Sequence, residues 1–149
     1  MTSPANLWLI IAGTMSMAAS VLHLVCIVVG APMYRFLGAG ERMANAAERG
    51  SWVPGLITFA IAAVLAVWAL YAFSAAGLLR QLPLTRLALV AISAVLFARA
   101  LLYFIGDRWR PDLPHTFMAW SSGIVLVMAI GFAAGTAQAW PSLNAKEAS

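Results

Sequence analysis

The chain has 149 residues, of which 63% are hydrophobic and only 9% charged, with a formal net charge of +4 and a mean hydropathy of +0.90. A soluble domain needs more polar side chains to cover its surface, so the composition excludes one and points to a membrane protein. The excess of basic residues is the usual bias of membrane loops. No basic patch lies outside the expected headgroup regions, and a nucleic-acid partner is not expected.

Stretches without charge run over residues 1–34, 50–79, 87–98 and 113–145. A hydrocarbon layer of ~30 Å is crossed by about 20 helical residues. Four spans are therefore predicted, at about residues 6–30, 52–77, 87–106 and 115–140, leaving no aqueous domain. The two-residue alternation that a membrane barrel requires is missing, whereas Leu, Ala and Val form near-continuous blocks. The expected fold is all-α: a polytopic bundle of four transmembrane helices in a single domain.

The first span has no basic residue before it and is longer than the core of a signal peptide, so it reads as a retained helix. It should stop at Gly30-Ala31-Pro32. The connection that follows contains GERMANAAERG, in which Glu41, Asn45 and Glu48 fall at i, i+4 and i+7 beside Arg42 and Arg49. That spacing places the three on one face of a short interfacial helix. A solvated linker of alternating charge is the plainer alternative.

The second span ends near Gly77 and Pro83, and the short basic loop LLRQLPLTR leads to the third. Counting Lys and Arg by side gives Arg80, Arg86 and Lys146 against Arg35, Arg42, Arg49, Arg108 and Arg110. The larger number would place loops one and three in the cytoplasm. Loop two, however, is purely basic, while the arginines of the other loops are interleaved with acids that can hold them in a site. On that ground the termini are expected inside, on the cytoplasmic face of the membrane.

The third span contains FARALLYFIG, with Arg99 seven residues before Gly106, ~10 Å below the helix end at 1.5 Å per residue. His23 stands seven residues before Gly30 on a helix running the same way, at similar depth. Tyr103 is one turn above Arg99 on the same face. A central Arg costs about 2.5–3.5 kcal/mol on insertion scales, so such a residue usually faces the bundle interior and has a partner. The sequence offers Glu48 or Glu41 as that partner. Three readings stand open: Arg99 snorkels to the headgroups, forms a structural ion pair, or belongs to a ligand site. In the last, His23, Glu41, Asn45, Glu48, Arg99 and Tyr103 line a polar pocket at one membrane face that takes a lipophilic or anionic small molecule. No catalytic residue is assigned, and the chain leans away from being an enzyme.

His23, Cys26 and His115 fall short of a supported soft-metal set, and a haem held by His23 and His115 would join one deep and one interfacial ligand. No metal or other cofactor is expected. The single cysteine excludes an intrachain disulfide. Trp8, Trp52, Trp109 and Trp140 fall near span ends as interfacial anchors, while Trp68 and Trp120 are deeper, as cavity lining or as filler. Gly131 and Gly135 in span four form a GxxxG, which lets two helices approach closely within or between subunits. Four helices enclose little volume, so a homodimer or homotrimer surrounded by membrane lipids is expected. An accessory subunit of a larger membrane complex is a further reading.

Two resemblances add to these readings. APMYRFLGAGERMANAAERGSW, followed by ALYAFSAAGLLRQLPLTR, resembles a group of small four-helix bacterial inner-membrane proteins, which implies a multi-pass place in a bacterial inner (plasma) membrane but no chemistry. ERMANAAERGSWVP and FARALLYFIG are similar to signature segments of the membrane-associated eicosanoid and glutathione metabolism (MAPEG) family, whose members are four-helix trimers binding glutathione between subunits. The resemblance implies that Asn45, Glu48, Arg99 and Tyr103 hold glutathione for a transferase or peroxidase. Where that family's pattern begins with Arg, four residues before Asn45, this chain has Glu41.

Overall fold

A computed structural model describes residues 6–101 and 115–147, with side chains through residue 143. The described residues form six helices and no strand: α1 (Leu7–Val29), α2 (Ala31–Phe36), α3 (Glu41–Glu48), α4 (Val53–Ala75), α5 (Thr85–Leu101) and α6 (His115–Glu147). The all-helical expectation holds. Three of the helices, α1, α4 and α6, are long and apolar enough to cross a membrane. The described part of α5 has 17 residues, ~25 Å of helix.

Why α1 begins and ends where it does is visible in its caps. Asn6 Oδ1 accepts from the Leu9 backbone N–H at 3.2 Å, satisfying one of the first-turn donors that have no intrahelical partner. At the other end Gly30 takes φ +80°, a left-handed conformation that closes the helix. Pro32 then sits in the first turn of α2, where its missing N–H costs nothing. Helix α6 continues past Trp140 with Pro141 inside it, beyond the predicted boundary.

Helix α1 packs mainly against α4, and α5 mainly against α6, with α1 against α6 joining the two pairs. The α1–α4 seam carries two hydroxyl bonds between helices. Ser16 Oγ donates to Leu65 O at 2.8 Å, and Ser20 Oγ donates to Ala62 O at 2.7 Å. In an apolar surround such bonds tie two backbones together without exposing a polar group. The α1–α6 seam depends on the GxxxG. A Cβ at Gly131 would lie 3.1 Å from Ala12 Cβ, and one at Gly135 only 2.5 Å from Leu9 Cγ. That motif serves a contact within the chain. Asn6 Nδ2 reinforces it by donating to Gly135 O at 2.7 Å.

The connection between α4 and α5 is tied down by two side chains of α4. Ser74 Oγ accepts from the Leu82 N–H at 2.9 Å and donates to Arg80 O at 3.0 Å, while Tyr71 Oη donates to Pro83 O at 3.3 Å. Away from this tie α4 and α5 touch little.

Candidate functional site

At the end of the bundle where α1 gives way to α2, the short helices α2 and α3 fold against each other as a cap. Tyr34, Ala31 and Ala44 are buried there with Cys26 of α1. Gly38 and Gly40, at φ +68° and +91°, supply the reversal between the two helices. Gly38 also lies so close to the Phe117 ring of α6 that any side chain would collide with it.

Within the cap, Arg35 holds the three residues that the sequence places on one face of α3. Arg35 Nε donates to both carboxylate oxygens of Glu41 at 3.1 Å. Its Nη1 donates to Glu48 Oε1 at 2.7 Å and its Nη2 to Asn45 Oδ1 at 3.2 Å. The planar guanidinium suits this convergence because its donors form a fixed fork. The bond from Arg35, and then its charge, hold the Glu48 carboxyl below the usual carboxylate range, against a smaller opposing effect of burial. The bonds to Glu48 and Glu41 in turn push Arg35 up. These groups are exposed, so water and salt screen the pairs and their worth is modest.

The expected pairing of Arg99 with Glu41 or Glu48 is therefore corrected: among the described residues, both carboxylates pair with Arg35. The folding back of α3 onto α2 brings them there, out of the bundle. Arg99 instead lines a cavity of about 710 Å³ beneath the cap, lined by α1, α4, α5 and α6. Its Nη2 donates to Ser121 Oγ of α6 at 3.0 Å. His23 lines the same cavity, as the matching depths on α1 and α5 predict. Its Nδ1 lies 2.7 Å from Ala19 O. A carbonyl can only accept, so Nδ1 carries the proton in this bond and, in the neutral ring, Nε2 is left as an acceptor.

The six expected site residues thus divide. His23 and Arg99 share the cavity; Glu41, Asn45 and Glu48 share Arg35; Tyr103 lies outside the described residues. The set that the glutathione resemblance implies is divided in the same way.

The cavity is graded along the bundle axis. Arg99, His23 and Ser121 lie toward the cap, with Phe36 and Leu37 at the end of α2 and Phe117 and Trp120 of α6. Below them come Leu65, Trp68, Leu96, Val125 and Met128, all apolar. Ser121 and Met128 are seven residues apart on α6, so the apolar part reaches ~10 Å further into the bundle. Both deeper tryptophans, Trp68 and Trp120, turn out to line the space. Sequence reasoning missed Ser121, Phe117 and the role of Arg35; the last had a signal, since its loop interleaves arginines with acids.

A volume in the range of small-molecule sites, ~300–1,000 Å³, with mostly apolar walls and a few convergent polar groups, is the usual form of a ligand pocket. Comparison with family models, with curated proteins and with solved structures finds no match for this chain.

Proposed function

We propose that this protein is a membrane-embedded binding module for a small amphipathic acid. In this reading four helices cross a bacterial inner membrane, α5 being the fourth, with the basic α4–α5 loop on the cytoplasmic side and the cap on the other. Arg99, aided by the Ser121 hydroxyl, receives the anionic head, with His23 lining the space beside them. The apolar chamber below receives the tail, and Phe36 and Leu37 of the cap close the space above.

The observation that supports this reading is the grading of one cavity, with a guanidinium and an imidazole at its capped end and only apolar walls beyond. An arginine in a low-dielectric site pairs strongly with a carboxylate and poorly with a neutral ester. Hydrogen bonds to charged groups are worth ~1.5–3 kcal/mol, or roughly tenfold or more in affinity. The site holds no described nucleophile paired with a base, so binding rather than catalysis is the activity that the residues support.

The test is titration of the protein in nanodiscs with a long-chain carboxylic acid and with its methyl ester, read by tryptophan fluorescence. The acid should bind at least tenfold more tightly than the ester, and Arg99→Gln should abolish the difference. Equal affinity for acid and ester in the wild type would overturn the reading.

A further inference from the structure

A second, narrower space adjoins the main cavity. It holds about 200 Å³ between α4 and α5 and is lined by Val67 and Tyr71 on one side and Ala88 and Ala91 on the other. Trp68 and Val95 line both spaces, so the two abut at that pair, and a turn of the Trp68 side chain would join them. The cleft is apolar apart from the Trp68 indole N–H and the Tyr71 hydroxyl, the latter engaged with Pro83 O. On the α5 side Ile92 and Val95 stand beside two alanines, Ala88 and Ala91, which leave room that larger residues would fill.

This side of the cavity is also where the bundle is least closed. Helices α4 and α5 touch little, and Ile61 and Val95, lining the cavity from the two helices, are 44% and 52% exposed. In a bilayer that exposure is to lipid chains. The capped end, by contrast, is covered by Phe36 and Leu37.

Resting on the proposed binding of an acid at Arg99, we infer that the ligand is a single-chain amphiphile that arrives sideways from the bilayer, its tail lying in the α4–α5 cleft. Three features set this chemistry. Arg99 and Ala88 are eleven residues apart on α5, so head and tail tip are separated by ~16 Å along the helix. A space of this size is comparable to the ~150 Å³ cavity that takes a benzene ring, which fits one hydrocarbon chain and not two. The head site lies toward the membrane surface, so the ligand slides in with its charge kept near headgroup level and its chain never leaving an apolar phase. Transit through water past the cap is not needed.

The experiment is photolabelling of the full chain in nanodiscs with long-chain carboxylic acids carrying a diazirine next to the head or at the tail tip, with adducts mapped by mass spectrometry. The tip probe should label Tyr71, Ala88 and Ala91, and the head probe Leu22, Trp120 and Ser121. An excess of unlabelled acid should remove at least nine-tenths of both sets. Arg99→Gln should reduce the head set, and the methyl-ester probe gives the same comparison without a substitution.

If competed tip adducts fall on Met128 and Leu65 instead, the cleft is not the tail channel while binding at Arg99 stands. If the head adducts resist competition and ignore both the ester and Arg99→Gln, the binding reading itself is lost. Equal labelling of the cleft by a two-chain phospholipid carrying a diazirine, unaffected by acid, would overturn the single-chain inference and make the cleft ordinary lipid contact.

Discussion

Asn6 and Gly135, 129 positions apart in the chain, are joined by a 2.7 Å bond from the Asn6 side-chain amide to the Gly135 carbonyl. The other end of the same side chain caps α1 by accepting from Leu9 N–H. One buried residue thus starts a helix and seats it on α6. Replacing it with alanine removes both bonds: loss of an N-cap costs ~0.5–2 kcal/mol, and loss of a neutral hydrogen bond a further ~1 kcal/mol. Asn6→Ala should lower the thermal midpoint in detergent clearly, and Asn6→Asp, which keeps the capping oxygen but not the amide donor, should fall between. An unchanged midpoint in Asn6→Ala would show that the seam holds without it.

The neighbouring contact gives an ordered pair of expectations. At Gly135 an added Cβ meets Leu9 Cγ at 2.5 Å and the Leu9 backbone N at 3.0 Å; at Gly131 its tightest contact is Ala12 Cβ, at 3.1 Å, the others being ordinary van der Waals contacts. The first requires a backbone shift and the second a few tenths of an ångström. Gly135→Ala should therefore destabilise by about 1–3 kcal/mol, the usual range for overpacking, and Gly131→Ala by less. Adding Leu9→Ala to Gly135→Ala should be less harmful than the sum of the two, because the first removes the side-chain atoms with which the second collides most closely and leaves only the backbone contact. Additive losses in unfolding measurements would refute the contact.

The cap should respond to acid. The Glu48 carboxyl is held low by Arg35, so its contribution is present above the ordinary glutamate value of about 4.3 and is lost as the pH falls through the lower folded value. A spin label at exposed position 42 of α3 should gain mobility over that acidic window, and high salt should have a similar effect at neutral pH. In Glu48→Gln the dependence should flatten and the label should be looser throughout. The same acid response in wild type and Glu48→Gln would mean that another group carries it.

What was legible in the sequence follows from how local each feature is. Helix ends were readable because Gly30, Pro32 and Gly77 act on their own backbone, and the shared depth of His23 and Arg99 follows from the fixed rise of two helices running the same way. Tertiary choices were not. Nothing local in GERMANAAERG says that α3 folds back so that Glu41, Asn45 and Glu48 meet Arg35 rather than Arg99. That depends on the left-handed turns at Gly38 and Gly40 and on the burial of Tyr34 against Ala44. Likewise the hydroxyls of Ser16 and Ser20 look like any small residues in an apolar run, and only the facing carbonyls of α4 give them a task.

The double bond of Ser74 to the loop that follows it has a mechanical meaning. It fastens α4 and α5 beside the α4–α5 turn, while their far halves are held chiefly by other helices. The pair is built like tongs, with the rivet at Ser74. A small rotation there barely disturbs Tyr71, but displacement grows along the arm, and Ile61 is thirteen residues away, ~20 Å from the rivet. Any spreading of the two arms is therefore smallest beside Tyr71 and largest beside Ile61, where the α4 arm moves only together with α1, to which Ser16 and Ser20 bind it.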